Sequence, residues 1–162
     1  MKVTQDEKGR FIIDGPITAN EMLDLAAKHY WGELKNSPIK SAADAVNFLQ
    51  AKLAKLEHEV FAVLFLNQRH EVIFYDELFR GTVNAAAVYP REVMKEALQH
   101  NACALLFAHN HPSGDSSPSR ADEEVTKRLV DAAELLEIRV LDHIIIGGGV
   151  DAYTSFVEMG LM

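Results

Sequence analysis

An α/β fold, with a mixed sheet sandwiched by helices, is what this 162-residue sequence predicts. Three observations carry that expectation. Val60 to Leu66 is an almost continuous apolar run, the mark of a strand buried on both faces, and Ile138 to Ile146 reads as another strongly apolar strand. Segments with apolar residues every three or four positions alternate with such runs. Strands 59–66 and 71–79 are joined too closely to be parallel, so the sheet mixes both directions.

Taken in order, Phe11-Ile12-Ile13 lies between a polar start and the turn signal Gly15-Pro16, and reads as a brief strand. Thr18 and Glu21 form a capping box, after which Met22, Leu25, Ala26 and Tyr30 recur at helical spacing. Asn36-Ser37-Pro38 breaks the chain, which divides it into a short extension (1–40) and a main domain (41–162). Ser41 and Asp44 open a second helix with Val46, Leu49, Leu53 and Leu56 on one face. The two antiparallel strands follow. Pro90 suits the first turn of a helix running to about Asn101, with Val93, Met94, Ala97 and Leu98 inward. Ala104 to Ala108 is a short strand leading into His109. After a loop rich in Ser, Gly and Pro, Ser119 starts a long helix whose buried stripe is Val125, Leu129, Ala132, Ala133 and Leu136. Strand 138–146, the turn Gly147-Gly148-Gly149 and a return over Val150 to Thr154 complete the order.

Composition narrows the function classes. Charged residues are 25% and apolar ones 48%, the balance of a folded domain with one core. The net charge of −8 disfavours a binder of phosphate backbones. A single cysteine, Cys103, excludes an internal disulfide and a cysteine-built metal cage, and reads as a small buried apolar residue. No apolar run reaches the ~20 residues of a membrane span, and Met1 to Arg10 lacks the apolar core of a signal peptide. The expected compartment is the cytoplasm, without a membrane partner.

The segment that carries chemistry is His109-Asn110-His111-Pro112-Ser113-Gly114 and its continuation Ser119-Arg120-Ala121-Asp122. Residues two apart on a strand share a face, so His109 and His111 can present two imidazoles side by side. Their place at a strand end points to the sheet edge rather than the core. Asp122 falls in the first turn of the next helix. Two imidazoles and one carboxylate make a three-ligand site with a free fourth position, as in catalytic zinc centres. Each piece also has a plain structural reading: Ser119-x-x-Asp122 is a capping box, and Pro112, Ser113, Gly114 and Pro118 are ordinary turn residues. Their joint order is what turn and cap chemistry leave unexplained.

That order, His109-x-His111-Pro112 followed by Ser119-x-x-Asp122, resembles the signature of the JAB/MPN (JAMM) metalloproteases. The fuller wording is similar to the bacterial RadC-type branch, in the short form associated with mobile elements. Phe79-Arg80-Gly81-Thr82-Val83-Asn84, Pro90-Arg91-Glu92-Val93 and Leu141-Asp142-His143-Ile144-Ile145-Ile146-Gly147 resemble it too, so the likeness spans about residues 41–158. It implies a JAB/MPN, cytidine-deaminase-like fold with zinc held by His109, His111 and Asp122. It further implies hydrolysis of an amide bond in a protein or peptide. Glu59 would take a proton from the zinc-bound water and pass it to the leaving amine, while Ser119 steadies the oxyanion. Glu57 is the rival base. Glu59 is preferred because it abuts the apolar run, where desolvation raises a carboxyl pKa.

Two other readings accompany this one. The first is a RadC-like DNA-repair protein or metal-dependent nuclease. Longer members of that branch carry a helix-hairpin-helix-like region ahead of the domain. Residues 1–40 show no such paired helices, and residues 41–162 hold eighteen acids against ten bases. Both facts weigh against nucleic acid. The second is a non-catalytic MPN interaction module, which the complete set Glu59, His109, His111 and Asp122 opposes. Asp142-His143 is either support for the zinc ligands or, more simply, a hydrogen-bonded polar pair at a strand start. His29, His58, His70 and His100 have no spaced partner and read as surface residues.

Overall fold

The structure is a computed structural model describing residues 2–81, 87–149 and 151–162. Its elements are β1 (Lys2–Gln5), β2 (Phe11–Asp14), α1 (Ala19–Lys35), α2 (Ala42–Leu53), β3 (Val60–Leu66), β4 (Val72–Arg80), α3 (Pro90–Gln99), β5 (Ala104–Asn110), α4 (Arg120–Leu135), β6 (Arg139–Ile146) and β7 (Tyr153–Ser155). From residue 41 this is the order the sequence predicts. Strands β4-β3-β5-β6-β7 lie side by side in that order. The β3–β4, β3–β5 and β6–β7 pairs are antiparallel and β5–β6 is parallel, so the sheet is mixed.

Strand parity divides the core into two layers, because successive side chains point to opposite faces. Val60, Ala62, Leu64 and Leu66 of β3, with Ala104, Leu106 and Ala108 of β5, pack against Ala45, Val46, Leu49 and Leu53 of α2 and Leu34 of α1. The odd-numbered Phe61, Val63, Phe65, Leu105 and Phe107 pack against Val93, Met94 and Ala97 of α3 and Leu129 and Ala133 of α4. Burial on both sides explains the unbroken apolar runs of β3 and β5. Leu34 and Ile39, from the extension, share the α2-side core.

Several expectations are corrected. Residues 2–5, which read as polar chain, pair with β2 as a hairpin. Leu98 is 56% exposed because it lies one position beyond the Val93–Ala97 face. Leu136 is 40% exposed as the C-cap of α4, past the last residue facing the core. Cys103 is exposed: it precedes β5 and points away from its buried neighbours Ala102 and Ala104. His29, His58, His70 and His100 are half-buried rather than on the surface. His100, for one, stacks on Phe74 with ring centroids 4.1 Å apart. Thr82, Val83 and Asn84 of the family-like segment, and Val150 of the final return, lie outside the described residues.

Candidate metal centre

β5 is the middle strand of five, and its C-terminal end meets the start of β3 because the two run antiparallel. Phe61 pairs with His109; continued two residues, that register sets Glu59 opposite His111. All four positions are odd, so they face the α4 layer. His109 is 2% exposed, well inside the sheet rather than at its edge. The strand continues through Asn110 instead of stopping at Ala108, which is why the expected edge position is wrong.

Asp122 is delivered by the start of α4. Ser119 is the N-cap: its Oγ accepts from the Asp122 N–H at 3.1 Å, and Asp122 Oδ2 accepts from the Ser119 N–H at 2.8 Å. This reciprocal capping box fixes the Asp122 side chain while satisfying two free helix N–H groups. Local helix chemistry thus aims a carboxylate at the end of β5.

The ligand atoms converge. Nε2 of His109 lies 3.0 Å from Nε2 of His111, and each is 3.2 Å from an oxygen of Asp122. Glu59 Oε1 is 3.7 Å from His109 Nε2. Among the described residues, one donor atom from each of Glu59, His109, His111 and Asp122 lies within 4.8 Å of all the others. Glu57 is exposed and outside this group. Nitrogen and carboxylate donors without sulfur suit a borderline or hard divalent ion.

Electrostatics fit that arrangement. Burial pushes the Asp122 carboxyl up, but the adjoining His109 ring and a hydrogen bond from His111 outweigh it and hold it well below the carboxylate range. The same bond to Asp122 raises the pKa of His111, against the opposing effect of burial. His111 Nδ1 is 2.8 Å from the carbonyl oxygen of Asp115. A carbonyl only accepts, so Nδ1 carries the proton when His111 is neutral and Nε2 offers its lone pair to the site.

Three residues support the site that motif spacing does not single out. Asn110, on the opposite face of β5, accepts the Val60 N–H at 2.8 Å and donates to the carbonyls of His58 (3.0 Å) and Leu56 (3.3 Å). Its position between two candidate ligands in a buried strand was the available signal. His143 places Nε2 2.7 Å from Nδ1 of His109. It is fully buried against the rings of Phe61, Phe107 and Phe156. Burial first, then His109, pushes its pKa well below that of an ordinary imidazole. Thr126, one helical turn after Asp122, contacts His143; its i+4 spacing from Asp122 was the signal. The reading of Asp142-His143 as a simple polar pair is therefore corrected. Only Asp142 is purely structural, accepting from the backbone N–H groups of His143 and Val157 and from the Ser155 hydroxyl.

The site opens into a cavity of about 590 Å³ with Phe61, Val88 and Val125 as apolar wall and Ser119 and Arg128 at its polar margin. The loop after β5 is tied down along β6. His111 N–H donates to Ile146 O at 2.9 Å, and Gly148 N–H donates to Gly114 O at 3.0 Å. Thr154 Oγ1 donates to Ser116 Oγ at 3.1 Å.

Comparison with known proteins agrees with this architecture. Residues 39–161 match the RadC-like JAB domain. A UPF0758 protein of Vibrio cholerae is 57% identical over 117 residues, covering 72% of each chain. A UPF0758 protein of Thioalkalivibrio sulfidiphilus is 49% identical over 142 residues, which is 87% of this chain and 62% of that one. Another, from Marinobacter nauticus, is 55% identical over 128 residues, 79% of this chain and 56% of its own length. The chain thus spans 56% to 72% of the length of these relatives. Among the described residues, no helix is long and apolar enough to cross a membrane. With a mixed sheet between helix layers and a match over residues 39–161, the chain belongs to the RadC-like JAB domain family.

Proposed function

We propose that the protein is a zinc-dependent hydrolase that cuts an amide bond, of peptide or isopeptide type, in a protein or peptide substrate. The observation that carries this reading is the convergence of His109 Nε2 and His111 Nε2, 3.0 Å apart and each 3.2 Å from a different oxygen of the Asp122 carboxylate. Tetrahedral zinc with bonds of ~2.05 Å has ligand–ligand edges of about 3.3 Å, so the residues fit the ion. Three protein ligands on a cavity wall leave the fourth position to face the substrate.

When bound, zinc supplies Lewis-acid polarisation and an acidified water at neutral pH. Glu59, beside His109 and only 12% exposed in its side chain, is placed to accept a proton and return it to a leaving amine. The Ser119 hydroxyl accepts in the capping box through a lone pair, so its own hydrogen remains to donate to a developing oxyanion. Phe61, Val88 and Val125 shield the reacting groups from bulk water. The acid excess across residues 41–162 repels a phosphodiester backbone more than a neutral or basic peptide.

Zinc analysis of the purified protein and of Asp122→Ala tests the centre, with about one ion per chain expected for the wild type and much less for the variant. A panel of peptide, isopeptide and single- and double-stranded DNA substrates, offered to wild type and Glu59→Gln, tests the reaction. Amide cleavage lost in Glu59→Gln is expected. DNA cleavage lost in that variant, with every amide intact, would replace the reading with a nuclease. A wild type that stays metal-free in zinc-replete buffer would remove it.

A further inference from the structure

The buried contacts behind His109 determine where its ring proton sits. Thr126 Oγ1 lies 2.6 Å from the backbone carbonyl oxygen of Asp122. A carbonyl cannot donate, so the single hydroxyl hydrogen of Thr126 occupies that contact. The same Oγ1 lies 2.5 Å from His143 Nδ1. With its hydrogen committed, the hydroxyl accepts here, and His143 Nδ1 is the protonated nitrogen. A second ring proton on His143 would put a cation among the rings of Phe61, Phe107 and Phe156, which is costly without a paired anion. His143 Nε2 is therefore an acceptor. The hydrogen in its 2.7 Å contact comes from Nδ1 of His109.

We propose that Thr126 and His143 are positioning residues that hold His109 in the Nδ1–H tautomer, with the Nε2 lone pair fixed toward Asp122 and His111. The chain of bonds is one-directional: His109 Nδ1–H to His143 Nε2, His143 Nδ1–H to Thr126 Oγ1, Thr126 O–H to the Asp122 carbonyl. It starts at one candidate ligand and ends on the backbone of another. The strand that carries His109 and the helix that carries Asp122 are thereby locked together behind the site. Orientation of a ligating imidazole through its other nitrogen normally uses a carboxylate, a carbonyl or a water. Here a second imidazole does it, and Thr126 supplies the direction. The consequence for metal affinity rests on the zinc reading; the tautomer itself does not.

Long-range proton–nitrogen correlation NMR of ring-¹⁵N-histidine protein, stripped of metal, reads the tautomers directly. For the wild type and Thr126→Ser, His109 is expected to be protonated at Nδ1 and bare at Nε2. For Thr126→Val, which keeps the branched shape without a hydroxyl, His109 is expected to populate both tautomers, and zinc affinity by competition with a chelator is expected to fall about 10- to 100-fold. Thr126→Ser is expected to restore it. A wild-type His109 carrying its proton on Nε2 would overturn the proposal, and this result needs no variant to fold. So would a folded Thr126→Val with wild-type tautomer and zinc affinity. A wild type that shows the Nδ1–H tautomer but binds no zinc would sink the metal centre and leave the relay standing.

Discussion

Asn110 grips the backbone on both sides of Glu59: it accepts the Val60 N–H at 2.8 Å and donates to the His58 carbonyl at 3.0 Å. Glu59 immediately precedes β3, where its carbonyl accepts the Gly81 N–H at 2.8 Å, and the Asn110 amide fixes the backbone on either side of it, which limits where its carboxylate can reach. Asn110→Ala strands a buried N–H and loosens two carbonyls, an effect of about 1–3 kcal/mol for each buried group left unpaired. Urea denaturation should show a lower midpoint at unchanged m-value, while zinc content stays near the wild-type value because no ligand is lost.

On the proposed reaction Ser119 has two duties, helix cap and oxyanion donor, that substitutions can separate. Ser119→Gly costs the helix cap only a few tenths of a kcal/mol but removes the hydroxyl. Amide hydrolysis by that variant is expected to fall about 10²- to 10³-fold through kcat, the range for loss of one oxyanion donor. Ser119→Thr keeps both cap and hydroxyl and should retain most of the rate. Equal losses in the two variants, or none in either, would remove Ser119 from the chemistry.

Gly147, the first residue after β6, packs against the loop that follows His111. A Cβ on it would lie 2.6 Å from the carbonyl oxygen of Gly114, whereas one on Gly149 would sit 3.5 Å from Ala152 Cβ. Gly147→Ala must push the loop outward, and a lowered thermal midpoint together with weakened zinc binding is expected. Gly149→Ala meets only ordinary contact and should melt near the wild type.

The His111–Asp122 contact makes metal-free stability depend on pH. His111 has a raised pKa in the folded state, so its contribution is complete below the unfolded value of about 6.5. It is lost as pH climbs through the raised folded value. Asp122 has a lowered pKa, so its contribution is present above an unfolded value of about 3.9 and disappears as pH falls toward the folded value. In chelator-treated protein the pair therefore stabilises most between about pH 4 and 6.5. Bound metal acts in the opposite sense above that window, since protons compete for the same nitrogens. Denaturation at pH 6 and pH 8, with and without zinc, should show the stabilisation by zinc growing with pH.

The sheet was legible wherever a strand is covered on both sides, because continuous burial leaves a continuous apolar run, as in Val60–Leu66. The ligands were legible for a different reason: period-two alternation joins His109 to His111, and capping chemistry places Asp122. The support that His143 gives was only one of two readings of Asp142-His143, and the cause is geometric. Leu105 pairs with Val140 but Leu106 pairs with Asp142, so one extra residue bulges out of β6. Strict alternation from Val140 would send Asp142 to the site face and His143 away. The bulge reverses this, as such irregularities do beside functional sites. Thr126 stayed hidden because its i+4 spacing from Asp122 acquires meaning only once the ring opposite it is known. The β1–β2 hairpin was missed because alternation in Lys2–Gln5 is too short to register among polar neighbours.

Three of the four converging groups, His109, His111 and Asp122, come from a single stretch of chain, and only Glu59 arrives from elsewhere. An unfolded chain keeps those three donors close enough to share an ion. Metal therefore follows the polypeptide through unfolding to some degree, and the melting shift it produces measures the difference between two affinities rather than the native one alone. What the folded state adds, on the proposals above, is a fixed lone pair on His109, set from β6 and α4, and the Glu59 carboxylate brought in at the start of β3.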